Sequence, residues 1–338
     1  MINVVKTWEQ LEGLQPTVLK MFKNSFLKNR VAHAYLLEGI RGTGKREIAL
    51  LITKALFCDS PIEGYKPCEN CSNCRRINSG NHPDVHIVEP DGASIKVNQI
   101  RELQAEFSKK GVESARKIYL LVHADKMSGS AANSLLKFLE EPNSQTVAFL
   151  LTEQPQQLLP TILSRCQILS FQPLSPQAMI QHLTENGVNP MKAPLLAQLT
   201  NSLDEAYQLN GDDWFAQAQK IVLKLYEVLK KNPLEAMVTL QGDWFSHFKE
   251  KEQINRGLDL LLLIIKDLLY IQLDKQEQMV FKAEIERLKP FALQTSGRRL
   301  SEQMSAILEA KRKLAANMNP QLMMEELVLN LQEGSSFV

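Results

Sequence analysis

The chain has 338 residues, 44% of them hydrophobic, and 39 Lys and Arg against 38 Asp and Glu leave a formal charge of +1. This length calls for two or three domains, each able to bury a core, and the charge excludes the globally basic surface of an autonomous nucleic-acid binder. The longest apolar run, Leu260 to Ile265, ends at Lys266-Asp267, far short of a membrane span, and residues 1–8 show no signal-peptide pattern. A cytoplasmic protein with no membrane partner is expected.

From the N-terminus, Pro16 to Lys28 spaces Val18, Leu19, Met21, Phe22, Phe26 and Leu27 as one face of an amphipathic helix. The apolar strand Ala34 to Leu37 then runs into Gly39-Ile40-Arg41-Gly42-Thr43-Gly44-Lys45-Arg46, and Glu47 to Phe57 has helical spacing. A glycine turn between strand and helix is the setting of a phosphate-binding loop, whose backbone amides surround phosphate oxygens while a lysine reaches the terminal ones. Gly39, Gly42, Gly44 and Lys45 fit this role. Arg46 stands where a Ser or Thr hydroxyl would hold Mg²⁺, so the loop is degenerate and able at most to cradle an anion.

Four of the five cysteines follow in a C-x9-C-x2-C-x2-C arrangement: Cys58, Cys68, Cys71 and Cys74. Four soft ligands with two-residue spacings converge on one ion, and with no position left open for water they form a closed structural zinc site, one per chain. An iron–sulfur cluster is the rival occupant, without its usual Cys-Pro context. His82 and His86 are read as loop and strand residues.

Val85 to Val88 is a short strand, Val97 to Phe107 a helix, and Lys117 to Asp125 a buried parallel strand where a nucleotide hydrolase carries its acidic pair. Val122-His123 occupies that place, and Asp125 is read as a turn or cap residue. A helix opened by Ser128 runs to Glu141 and stops at Pro142. The strand Val147 to Thr152, the segment Leu158 to Cys166 and the strand Gln167 to Phe171 complete an alternating α/β pattern with a mostly parallel sheet. Beyond Pro173-Leu174-Ser175-Pro176 the pattern is helical, with a second shift near Asn210 to Asp213. Leu258 to Leu273, apolar on most faces, is a buried helix.

Ala34 to Leu37, the glycine loop, the inserted cysteines, Asn133 to Pro142 and Ser164-Arg165-Cys166 together resemble the clamp-loader branch of the AAA+ ATPases, which serves bacterial DNA polymerase III. The resemblance spans the whole chain. It implies an α/β, P-loop NTPase-like AAA+ core (1–172) with a zinc insertion (58–74), a small helical lid (173–212) and an all-α collar for oligomerisation (213–338). It also implies that Arg165 is an arginine finger acting in trans on ATP bound by a neighbouring subunit, with Ser164 and Cys166 setting its turn.

The departures point to a non-hydrolytic member. Arg46 and Val122-His123 remove the metal chemistry, and Asn201-Ser202-Leu203-Asp204 places an acid where active members carry a lid arginine. The implied partners are motor subunits of the gamma/tau kind and the delta subunit in a hetero-oligomeric ring, and indirectly the sliding clamp and primer-template DNA. An active ATPase of the gamma/tau kind is the alternative reading. A zinc-dependent nucleic-acid module is a third, for which Tyr65 is the one aromatic in the cysteine loop beside Lys66, Arg75 and Arg76.

Overall fold

Five short apolar runs become the strands of one parallel sheet: β1 (Ala34–Glu38), β2 (Val85–Val88), β3 (Lys117–Leu121), β4 (Thr146–Thr152) and β5 (Gln167–Ser170), in the order β2-β3-β4-β1-β5. The computed structural model describes residues 7–108, 116–140 and 145–332. They fall into two compact units that meet between Leu174 and Ser175.

In the first unit the helices are α1 (Trp8–Leu14), α2 (Pro16–Leu27), α3 (Lys45–Phe57), α4 (Ser72–Asn78), α5 (Val97–Ser108), α6 (Gly129–Glu140) and α7 (Pro160–Leu163). The pleat sends alternate residues of β1 to opposite faces. Tyr35 and Leu37 join Leu19, Phe22, Ile48 and Ile52 of α2 and α3, whereas Ala34 and Leu36 join Ile100, Leu103, Leu135 and Ile162 of α5, α6 and α7. Helices on both faces explain why β3 and β4 are apolar without alternation: each of their residues is buried.

One strand boundary differs clearly from the sequence reading. The strand expected to reach Asp125 stops at Leu121; the Val122 amide still donates to Val88 O, but His123 is left-handed (φ 56°) and Ala124–Lys126 forms a 3-10 turn. Helix α6 is described as far as Glu140, and its expected end at Glu141 and Pro142 lies outside the described residues. The Ser128 hydroxyl accepts from the Ala131 amide at its start, as a capping serine does.

The second unit is helical throughout. It comprises α8 (Pro176–Glu185), α9 (Ala193–Leu199), α10 (Leu203–Asn210), α11 (Asp213–Lys231), α12 (Pro233–Thr239), a π-helical turn (Leu240–Trp244), α13 (Phe245–His247), α14 (Lys251–Gln272), α15 (Ile285–Gln294), α16 (Gly297–Ala315) and α17 (Pro320–Gln332). Helix α14 is its axis, and Leu258, Leu260, Leu261, Ile264, Ile265 and Leu268 are fully buried. Gly257 on α14 lets the Trp244 ring lie against the backbone, where a Cβ would sit 2.6 Å from Cη2. Arg256 joins α14 to the short helices: it donates to Leu199 O (3.1 Å) and pairs with Glu205 (2.7 Å).

One polar side chain is sealed inside this helix. The Asp267 carboxylate accepts from the amides of Val280 (2.9 Å) and Phe281 (2.7 Å), and burial pushes its pKa up to about 6 despite those donors. Its folded value lies above the unfolded value of 3.8. The group therefore contributes stability that is fully present below pH 3.8 and is lost as pH rises through about 6. Asp267→Asn should remove this dependence: in urea unfolding the variant should gain on the wild type between pH 4 and pH 7 by on the order of 2–3 kcal/mol.

Candidate functional site

The glycine loop leaves the C-terminal end of β1 and closes onto the N-terminus of α3. Gly39 has φ +154°, and a Cβ there would meet Phe171 O at 2.7 Å, so only glycine fits beside the chain leaving β5. Gly42 (φ 84°) and Gly44 (φ 85°) make the turn, Gly44 as the left-handed N-cap of α3. Lys45 folds back over the loop, its Nζ donating to Gly39 O (2.6 Å) and Ile40 O (2.8 Å), and burial lowers its pKa. Buried Gln15 ties the loop to the exit of β5: its Nε2 donates to Thr43 O (3.1 Å) and Gln172 O (2.6 Å), and its Oε1 accepts from the Gln172 amide.

The shape of an anion cradle is thus retained while the metal-binding hydroxyl is absent. Arg46 turns to the carboxylate of Glu89, just beyond β2. Asp125 is engaged in a turn, as read from the sequence: its Oδ1 accepts from Thr152 Oγ1 (2.7 Å) and the Glu153 amide (3.2 Å).

Arg165 lies at the other end of the sheet. It follows α7 and lies two residues before the start of β5, and β5 runs parallel to β1 with Gln167 level with Tyr35. The four to six strand steps between the levels of Arg165 and Gly39 correspond to roughly 13–20 Å, farther than an arginine side chain reaches. Arg165 Nη1 donates to Thr161 O (2.9 Å) and approaches Ser164 Oγ (3.4 Å), while Nη2 pairs with Glu140 of α6 (2.7 Å). Ser164 Oγ itself donates to Thr161 O, closing the turn. Cys166 packs against the α6–α7 side of the core, and burial pushes its thiol up to about 12, so it serves as an apolar anchor and not as a nucleophile.

The four cysteines of the insertion come together: Cys58 at the end of α3, Cys68, Cys71 and Cys74 have their sulfur atoms within 4.8 Å of one another. Zn–S bonds of about 2.3 Å in a tetrahedron require sulfurs about 3.8 Å apart, so the donor set fits a metal ion. Sulfurs accept from turn amides, Cys68 Sγ from the Cys71 amide (3.3 Å) and Cys58 Sγ from the Cys68 amide (3.2 Å). Donation from the Asn70 and Cys71 amides lowers the Cys68 thiol to about 6, favouring the ligating thiolate, whereas burial raises those of Cys74 and Cys58. Buried Lys54 of α3 holds both carboxylate oxygens of Glu69 at 2.6 Å, fastening the insertion to the core. His82 packs on Phe57 and His86 on Phe107, in keeping with loop and strand roles. Tyr65 is buried edge-on against Trp8, with its hydroxyl donating to Glu63, so no ring of this insertion is free to stack on a base.

Residues 14–175 match the family model described as DNA polymerase III, delta subunit, and residues 236–333 match the model for the C-terminal part of that same family. Over 329 residues, 97% of this chain and 99% of the relative, the sequence is 51% identical to DNA polymerase III subunit delta' of Bacillus subtilis. The chain belongs to the DNA polymerase III delta' family. The tau subunit of the same organism is 34% identical over 173 residues, 51% of this chain and 30% of that one. A gamma subunit-related protein from Thermotoga maritima is structurally similar at 20% identity and a TM-score of 0.49, covering 94% of this chain and 98% of that one.

In this delta' protein the glycine loop of the α/β core carries Arg46 where a hydroxyl would hold a metal, and Val122-His123 follow β3 where an acidic pair would stand. Asp204 sits apart from these residues in the sequence, in the first turn of α10 in the second unit, where the helix dipole favours an acid. Sequence reasoning missed Glu140, Glu89, Gln15 and the Lys54–Glu69 pair, because no local spacing links residues that are 25, 43, 157 and 15 positions from their partners. The tight fit of Gly39 predicts that Gly39→Ala destabilises the first unit by roughly 2–3 kcal/mol, through the clash with a backbone oxygen and the unfavourable φ, measured by denaturant unfolding.

Proposed function

We propose that this delta' chain is a non-hydrolytic clamp-loader subunit of the DNA polymerase III holoenzyme. It supplies Arg165 in trans to ATP bound by a motor subunit of the gamma/tau kind while the sliding clamp is loaded on primed DNA. The observation that carries this reading is the placement of Arg165 at the sheet edge opposite the chain's own glycine loop. An arginine there cannot serve Gly39 to Lys45 but can project outward toward another protein's phosphates. A guanidinium suits the task because it stays charged and donates to two oxygens at once, stabilising the charge of phosphoryl transfer.

On this reading Ser164 and Cys166 present the finger, and residues 173–212 and 213–338 act as lid and collar. The ring contains the gamma/tau and delta subunits and works on clamp and DNA in the cytoplasm. Among the described residues no helix is long and apolar enough to cross a membrane. The active-ATPase alternative draws on the three glycines of the loop and Lys45, but an ATPase would need metal ligands that Arg46, Val122 and His123 do not provide.

In a loader rebuilt from its subunits, Arg165→Ala should leave assembly intact and lower clamp-stimulated ATP hydrolysis by about tenfold or more, given what such fingers contribute; an unchanged rate would sink the assignment. The isolated chain should show no ATP turnover that disappears with Lys45→Ala. Detecting such turnover would restore the enzyme reading.

We assign zinc to Cys58, Cys68, Cys71 and Cys74 as a structural ion, since a saturated thiolate set leaves no site for substrate or water. Metal analysis should find about one zinc per chain. Removing it with a strong chelator should expose residues 58–74 to proteolysis while the rest of the first unit stays folded. Iron with visible absorbance would reverse the assignment.

A further inference from the structure

The Arg165 guanidinium is already in an ion pair within its own chain. Its Nη2 lies 2.7 Å from Glu140 Oε1, its Nη1 is taken by Thr161 O, and its Nε–H has no partner among the described residues. The pair is accessible, with 34% of the arginine side chain and 47% of the glutamate side chain exposed. The two residues come from different elements: Glu140 belongs to α6, and Arg165 follows α7, whose carbonyl at Thr161 fixes the other nitrogen. A carboxylate in contact cancels most of the charge that a phosphate would feel, and it would itself repel that phosphate. A guanidinium can exchange a carboxylate for a phosphate with little change in geometry, since both accept from its planar fork.

We propose that Glu140 is the counter-charge that holds Arg165 in place, and out of action, until the neighbouring subunit's nucleotide phosphates displace it. The proposal rests on the reading of Arg165 as a trans-acting finger. Glu140 is then a positioning residue that sets the threshold at which the finger engages. Exposed pairs are weak, so the hold corresponds to a shift of about two- to five-fold in the engaged population. That is small enough for ring closure to overcome, yet large enough to suppress hydrolysis in a loader that holds neither clamp nor DNA.

The test uses the complete loader, assembled with wild-type, Glu140→Gln, Arg165→Ala or doubly substituted chain. ATP turnover is measured alone and with clamp and primed DNA, after gel filtration has verified assembly. Glu140→Gln keeps an acceptor and removes the charge. It should raise unstimulated turnover by about two- to five-fold while the stimulated rate stays within about twofold, so that the stimulation ratio falls. Glu140→Asp, which keeps the charge, should retain most of the wild-type ratio. The effect of Glu140→Gln should vanish in the Arg165→Ala background.

Equal loss of both rates in Glu140→Gln would make Glu140 a mere support and overturn the proposal, as would an unchanged ratio. If Arg165→Ala alone changed neither rate, the finger reading itself would fall. If Arg165→Ala lowered the stimulated rate but Glu140→Gln left the ratio unaltered, the finger would stand and the counter-charge would not.

Discussion

Parallel pairing of β1 with both β4 and β5 governs where every chemical group of the first unit lies. Because the strands share one direction, all chain exits from the sheet lie at one edge and all entrances at the other. Gly39 to Lys45 leave β1 at the exit edge, together with Glu89, Asp125 and Phe171. Arg165 stands at the entrance edge, with Glu140 delivered there by a helix running back across the sheet. The contact of Gly39 with the Phe171 backbone and the Gln15 bridge between Thr43 and Gln172 lock β1, β5 and the loop together. The loop's conformation is thereby a requirement of sheet packing, independent of any ligand.

That independence accounts for a glycine loop that keeps its form with Arg46 at the position where a hydroxyl would hold a metal. Lys45 satisfies its ammonium on the loop's own carbonyls, and Arg46 pairs with Glu89, so the substitution at the metal position leaves no unpaired charge. A hydroxyl at residue 46 would serve a metal but no neighbour needed by the fold. The glycines, by contrast, are held by steric fit and positive φ. Folding thus preserves one half of the motif and is indifferent to the other.

In the insertion, four sulfurs, their amide donors and the Lys54–Glu69 pair do what a hydrophobic core does elsewhere. The loop is too short and too polar to bury a core of its own. The second unit follows the opposite strategy: α14 is surrounded by apolar neighbours, and its one sealed carboxylate, Asp267, caps the backbone at Val280 and Phe281. Gly257 is there because the Trp244 ring needs the space of a side chain.

The sequence by itself determined the strands, most of the helices though not α1 or α4, the glycine loop and its missing hydroxyl, and the four-thiol cluster. These are local properties: periodicity, turn chemistry and ligand spacing are written in neighbouring residues. Even so, it drew β3 too long, because Val122 continues the apolar run while the left-handed His123 has no signature in composition. Only the tertiary structure decided which edge of the sheet Arg165 occupies, that Glu140 neutralises it, that Arg46 answers Glu89, and that Tyr65 is spent on Trp8. Each of these depends on chain direction and on residues far apart in sequence, which meet only after the sheet has formed.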